Sequence, residues 1–267
     1  MKKLLTPLVL VFAALAASGA GKLRIGDATG SGLEAFSRAA LTYGLRNDLE
    51  ISYHRLDTAT ALEKLALGET EIVLLNADAI PQDFSGKKTV CAYRPLVAVV
   101  NRRNPLRGIT RNHLKRLLSE PRPLWDHRGG SGAEVRRAAL KGRDGTPLGF
   151  GQLNLFKAAP GILTLADANQ LWIFVGANVE ALGVLPFAHI VPDTLAALKI
   201  DGVAPTLDNI RSRQYPLTEA LVAVTAANPA EPARGLLESF GSRDFSDLLE
   251  EEGALAPLPG ASGTEQP

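Results

Sequence analysis

From Lys22 onward, short apolar stretches alternate with segments whose apolar residues return at helical spacing. Residues 23–26 read as a strand, 28–32 as a glycine-rich turn, and 33–45 as a helix carrying Leu33, Phe36, Ala40 and Leu41 on one face. The unit then repeats, with a strand at 50–55, a helix at 60–67 closed by Gly68, and a strand at 71–75. The unbroken Ile-Val-Leu-Leu of that last strand predicts burial on both faces. Such an alternation predicts an α/β fold built on a parallel sheet.

The run 90–100 is long and β-branched, interrupted only around Arg94 and Pro95, and reads as a strand passing from one region of the fold to another. Beyond a turn at 101–105, Thr110 is placed to cap a basic helix through Leu118, and Ser131 to start another helix ending near Gly142. Glycine is frequent from 142 to 161. A helix at 165–179, a buried strand at 182–186, a short strand at 199–203, a strand at 217–225 and helices around 232–240 and 244–251 complete the pattern. The tail from Ala256, rich in Pro, Gly and Ser, is expected to be disordered.

The first twenty residues change the picture. Lys2 and Lys3 precede an apolar run to Ala17, followed by small residues, which is the layout of a secretory signal peptide. The run is shorter than the roughly 20 residues that cross a bilayer. Cys91, the single cysteine, lies in mid-chain, so no cysteine stands at the cleavage point for lipid attachment, and a free periplasmic protein is expected. Removing Lys2 and Lys3 from 29 basic residues leaves 27 against 28 acidic ones, a mature net charge of −1. That balance disfavours nucleic acid as a partner. A lone cysteine and four scattered histidines supply neither a disulfide nor the usual cysteine-rich zinc cluster, and no cofactor or metal is expected.

Three segments, Ser31-Gly-Leu-Glu34, Thr60-Ala-Leu-Glu63 and Ser131-Gly-Ala-Glu134, place a hydroxyl three residues ahead of a glutamate, the spacing of a capping box. For Thr60 helix capping is a sufficient reading. Around Ser31 and Ser131, glycines at 30, 32, 129, 130 and 132 leave the amides open to an anion at a helix start. A desolvated dianion needs many donors, and helix N-termini supply them without counter-charge. Glu34 and Glu134 oppose this unless their carboxylates turn away or are spent on the caps. The stretch Gly30-Ser-Gly-Leu-Glu-Ala35, with Asp57 after the next strand, also mimics a dinucleotide fingerprint, a weak match taken alone. A hydrolase assembled from Ser31 or Ser131 with His54, His113, His127 or His189 remains open, although neither serine lies in a Gly-X-Ser-X-Gly elbow.

The order of segments resembles a known family. Tyr93-Arg-Pro-Leu-Val-Ala-Val-Val-Asn101, Asn104-Pro105, Ile109-Thr110 and 114–118 resemble the crossover strand and following helix of the phosphate-binding proteins of phosphate ABC importers, which are type 2 periplasmic binding proteins. Ala181-Leu-Gly-Val-Leu-Pro186, Ile200-Asp-Gly-Val-Ala-Pro-Thr206, Asn209-Ile210 and Tyr215-Pro-Leu217 resemble later segments of the same family. The resemblance implies a two-lobed α/β fold with two crossover strands: residues 21–98 and 188–255 in one lobe, 99–187 in the other, 1–20 removed and 256–267 a tail. It further implies a monomer that captures inorganic phosphate or a related oxyanion for an ABC permease and performs no covalent chemistry. A divergent sensor or accessory envelope protein on the same fold is the alternative, and a periplasmic hydrolase the second.

Family ligands come from the first and second helix loops, an acidic position after the third strand, and an Arg-X-X-Gly-Ser-Gly-Thr loop. By resemblance these map onto Ser31 with Gly32, Thr58, Asn76 or Asp78, and Arg128 with Ser131 and Gly132. The last loop departs from the pattern, with Ala133 for its threonine and Arg128 one residue too near. Asp78 in the ligand position would accept the proton of monohydrogen phosphate and repel sulfate, whereas Asn76 there would tolerate sulfate-like anions. Arg128 is the candidate clamp, while Arg122, Arg136, Arg137 and Arg143 form a basic run expected on a solvated face. Trp125 and Trp172 are expected in packing, and Asp201-Gly202 and Pro205-Thr206 in turns.

Overall fold

The computed structural model describes residues 21–30, 33–126, 131–141, 147, 150–153, 155, 160–186 and 193–257. The expected export segment 1–20 and the end of the tail, 258–267, lie outside the described residues, as do Ser31, Gly32, Arg128, His127 and His189.

The first repeat of strand and helix forms as its periodicity predicts. β1 (Gly21–Asp27), α1 (Ala35–Arg46), β2 (Leu49–Arg55), α2 (Thr58–Ala66) and β3 (Ile72–Asn76) follow in order. β1 pairs in parallel with both β2 and β3, and residues 72–75 are fully buried. β4 (Lys87–Asn101) is the long strand expected near residue 90, and it serves both halves of the molecule. Its first half pairs antiparallel with β11 (Thr218–Thr225), which joins it to β3. Its second half pairs antiparallel with β8 (Ala181–Pro186) and β9 (Leu195–Ala197). Among the described residues, the path β2-β1-β3-β11-β4-β8 therefore runs as one sheet through the shared strand β4, and two further strands extend it beyond β8.

The second half holds the largest departure from the sequence reading. The helix expected from Ser131 is absent: residues 136–140 form a strand, β6 (Arg136–Leu140), in parallel between β8 and β7 (Ile162–Leu165). Arg-Arg-Ala-Ala-Leu has good helix propensity, but its residues 137–139 are buried between two neighbouring strands, and that packing overrides local preference. Arg137, expected on a solvated face, is instead 3% exposed. Its guanidinium donates to the carbonyls of Leu117, Glu120, Pro121 and Pro160, tying the end of α3 (Arg111–Ser119) to the start of β7. Burial holds its pKa below the usual arginine value.

α3 is capped as anticipated, the Thr110 hydroxyl accepting from the His113 amide at 3.1 Å. α4 (Ala168–Ala177) returns the chain to β8, and Trp125 is buried at 1% exposure with its indole donating to the Glu180 carbonyl. β10 (Lys199–Ile200) pairs with β5 (Gly108–Ile109), and α5 (Leu207–Arg211) is capped by Thr206. Asp201 and Gly202 both take positive φ in the turn between them, so the sequence reading of that segment as turn chemistry agrees with the backbone. α6 (Glu231–Ser239) and α7 (Arg243–Glu251) close the first half over α1, where Phe36, Phe240 and Phe245 form an aromatic cluster with centroids 4.7–5.4 Å apart.

Candidate functional site

The sheet register fixes where ligand-bearing loops face each other. β3 ends at Asn76, which is level with Leu221 on β11 and thus with Ala92 on β4. β8 runs the opposite way and ends at Pro186, level with Leu96. The carboxyl ends of the parallel strands in the two halves therefore point at one another along β4 across roughly 13 Å, at about 3.3 Å per residue. In open α/β sheets ligands bind at such carboxyl ends. Within that span the floor is made by Arg94 of β4 and Glu219 of β11, cross-strand partners whose side chains are 8% and 16% exposed and joined by an ion pair.

On the first-half edge, β1 with the loop that follows it, β2 and the end of β3 are tied together. The buried Asp27 carboxylate accepts from the Thr29 amide at 3.0 Å, the Thr29 hydroxyl at 2.7 Å and the Tyr53 hydroxyl at 2.9 Å. Burial foremost, then the Asp27 charge, pushes the Tyr53 hydroxyl far above the usual tyrosine pKa. The Asn76 amide group donates to the Thr29 carbonyl at 3.1 Å, and its Oδ1 is buried without a partner among the described residues. Asn76 is thus turned toward the loop after β1, while Asp78 is exposed on a short 3-10 turn, residues 77–79. Of the two candidates that the sequence left open, the neutral carboxamide is the one joined to the loop that carries Ser31.

Helix starts at this edge are already occupied by carboxylates. α2 begins at Thr58, not Thr60; its cap is Asp57, which accepts from the Thr60 amide at 2.9 Å and the Thr60 hydroxyl at 2.7 Å. Those two bonds hold the Asp57 pKa below the ordinary carboxylate value. Thr58 sits in the first turn beside this charge. α1 begins at Ala35 with Glu34 at its cap position, and Glu34 makes no side-chain cap. The Glu34 amide instead donates at 2.6 Å to the carboxylate of Glu252, just beyond α7. In the second half α4 starts at the same end of the sheet, after β7, and its cap is Asp167, accepting from the Gln170 amide at 2.9 Å. Each of these N-termini presents the positive dipole end that favours an anion, and each has one from the protein itself.

Ser131 and Gly132 lie elsewhere. They precede β6, whose first residue Arg136 pairs with Ala181, one step past the Leu182–Val100 pair. That is the amino end of the second-half strands, roughly 17 Å along β4 from the level of Pro186. The Ser131 hydroxyl donates to Glu180 at 2.8 Å and accepts from the Ala133 amide, and the Gly132 amide donates to the Trp125 carbonyl. Gly132 takes φ +73° to make this turn, and Glu134 pairs with Arg122 at 3.2 Å. The capping box expected at Ser131 is replaced by a hairpin closure, and Ser131 and Gly132 are not brought together with Thr58, Asn76 or Asp78.

What the carboxyl end of β6 carries is the connection between Lys141 and Pro147, two residues that form an antiparallel bridge there. In sequence this connection reads Gly142-Arg-Asp-Gly-Thr146, which carries the terminal Gly-Thr of an Arg-X-X-Gly-Ser-Gly-Thr loop that the segment around Arg128 lacks, with its arginine three residues before the threonine where that pattern has six. The sequence signal was present, but recognising it required knowing that residues 136–140 are a strand. Residues 142–146 themselves lie outside the described residues. Among the described residues, His54 faces Ser52 at 2.8 Å and His113 faces Asp126 at 3.3 Å, whereas Ser131 faces Glu180.

No protein-family model matches the chain. In sequence it is 23% identical over 218 residues to the phosphate-binding protein PstS of Bacillus subtilis, covering 79% of this chain and 72% of that protein. In structure it is similar to a possible phosphate binding protein from Planctomyces limnophilus, with TM-score 0.77, 17% identity, and 91% and 95% of the two chains covered. It is also similar to PstS from Borrelia burgdorferi, with TM-score 0.70, 18% identity, and 89% and 99% covered. An ABC-type phosphate transport receptor from Vibrio cholerae gives TM-score 0.69, 18% identity, and 89% and 100% covered.

Proposed function

Because the chain has the two-lobed α/β fold of the type 2 periplasmic binding proteins and is a divergent relative of the phosphate-binding proteins of phosphate importers, we propose that it captures phosphate or a related tetrahedral oxyanion between its lobes. In this reading the chain is exported, works as a monomer, and hands its ligand to an ABC permease. The observation that supports it is that the carboxyl ends of β3 and β8 point at one another along β4 across the Arg94–Glu219 pair. The first lobe offers the loop at Ser31 and Gly32, together with Thr58 and Asn76. The second lobe offers the connection with Arg143 and Thr146 in place of Arg128, Ser131 and Gly132. Asp78 is left to a solvated turn. No carboxylate then accepts the proton of monohydrogen phosphate at the Asn76 position, and sulfate is bound as well as phosphate.

Calorimetry on protein freed of bound ligand tests this. Phosphate and sulfate should both give heat, Arg143→Ala should abolish it, and Ser131→Ala should leave it unchanged. Binding lost in Ser131→Ala but retained in Arg143→Ala would place the second-lobe subsite at Arg128, Ser131 and Gly132 instead. Absence of heat with every oxyanion would remove the proposal.

One observation favours a second reading. Glu252 accepts from the Glu34 amide at the cap position of α1, and Asp57 and Asp167 accept from the third amides of α2 and α4, so a binding-protein fold that fills its own anion positions is also consistent with a sensor or accessory envelope protein. Glu252→Gln separates the two. Oxyanion binding that appears or tightens in this variant identifies an anion site competing with its own carboxylate, whereas silence in both forms identifies a domain that has given up the ligand.

A further inference from the structure

A second pocket lies away from the strand ends. It has a volume of about 470 Å³ and is built on the start of β4, against α6 and the end of α5. Its β4 wall, residues 87–91, lies on the amino side of the level of Ala92, where the first-lobe strands end, so it belongs to a different face from the oxyanion cleft. The size falls within the range of small-molecule sites, roughly 300–1,000 Å³.

The lining divides into two chemistries. Val90, Cys91, Leu237 and Phe240 supply apolar wall, and Lys87, Lys88, Arg211 and Arg234 supply positive charge against the single carboxylate of Glu238. Arg234 is committed to Glu231 through an ion pair. Lys88 rests over the Phe84 ring at 5.9 Å and has no acidic partner among the described residues. Arg211 is the most telling group. Its side chain makes no hydrogen bond or ion pair among the described residues, and its Nε is buried without an acceptor. Leaving a buried donor unmade is costly, and a guanidinium fork matches a carboxylate with two parallel bonds. Cys91 adds no covalent chemistry: burial pushes its thiol up to about 12, which keeps it protonated and inert.

We infer that this pocket binds a small amphiphilic carboxylate, its head on Arg211 with Lys87 and Lys88 around it and its apolar body along Val90, Leu237 and Phe240. The site is separate from the cleft, so one ligand does not displace the other.

Octanoate is the probe, titrated calorimetrically into the full chain with phosphate already present. Binding is expected with wild-type protein, and Arg211→Gln and Lys88→Gln should each weaken it, the former by about tenfold or more as a charge-assisted pair is lost. The neutral analogue 1-octanol should bind at least about tenfold more weakly than octanoate. Phosphate heat should be unchanged in both variants. No octanoate binding up to about 1 mM, a free energy near −4 kcal/mol, would overturn the inference. So would equal affinity in Arg211→Gln and Lys88→Gln, or competition between octanoate and phosphate. Should Arg211→Gln fail to fold, Lys88→Gln and the octanol comparison decide alone.

Discussion

Replacing Arg94 by Met tests how the two lobes are held at their shared strand. Arg94 and Glu219 are directly opposite on β4 and β11, with Nε donating at 3.0 Å and a second, shorter bond from the same guanidinium to the same carboxylate oxygen. At 8% and 16% exposure, neither side chain can recover its hydration when the other is removed. Arg94→Met therefore leaves a buried carboxylate uncompensated, which costs about 3–5 kcal/mol, whereas an exposed pair would cost at most about 1 kcal/mol. For a chain of this length each kcal/mol moves the melting midpoint by roughly 2–4 °C, so the single variant should melt roughly 6–20 °C lower. The double variant Arg94→Met with Glu219→Leu removes both charges and fills the space with apolar atoms, so it should recover most of the loss. Thermal and urea melts of wild type, both single variants and the double variant complete the cycle. If the singles lose under about 1 kcal/mol, or if the double loses the sum of the two, the pair is not the desolvated unit described.

Other perturbations follow from the same contacts. Gly183→Ala places a Cβ within 2.7–2.9 Å of Leu171, Val175 and Val99, so overpacking should cost about 1–3 kcal/mol in a urea melt, and a neutral result would mean that α4 shifts freely on β8. Asp57 has its pKa held down by the Thr60 amide and hydroxyl, so its cap contributes above the unfolded carboxylate pKa, near 3.9, and is lost as pH falls through the lower folded value. Asp57→Asn should flatten the acid limb of the stability–pH curve, and an unchanged limb would refute the cap's part in it. Ser131→Ala removes a bond to Glu180 within the 124–134 turn, so it should lower the melting temperature slightly without changing anion affinity.

The first half was legible because its determinants are local and redundant. Residues 72–75 are apolar at every position, and Gly68 closes α2 with φ +70°; in the second half Thr110 is legible for the same reason, lying next to the helix it caps. At Thr60 the sequence indicated the helix correctly but placed its start late, because Asp57 is an equally good cap three residues earlier. Ser131 shows the limit of such signals. A hydroxyl followed three residues on by a glutamate fits a helix start, but it fits equally a hairpin in which the serine finds Glu180 and the glutamate finds Arg122.

The sequence alone determined the α/β alternation, the long shared strand and the Thr110 cap, since these depend on apolar period and on groups within a few residues of one another. The tertiary structure decided which loops share an edge, because that is a matter of strand register. Pairing β6 with β8 turned five residues of good helix propensity into a strand and put Ser131 at its far end and the Arg143 connection at the near one. It also brought Glu252 to the amide of Glu34, 218 residues away. A contact of that kind leaves no periodic trace in the chain, because it arises only when the closing helix packs back against the first.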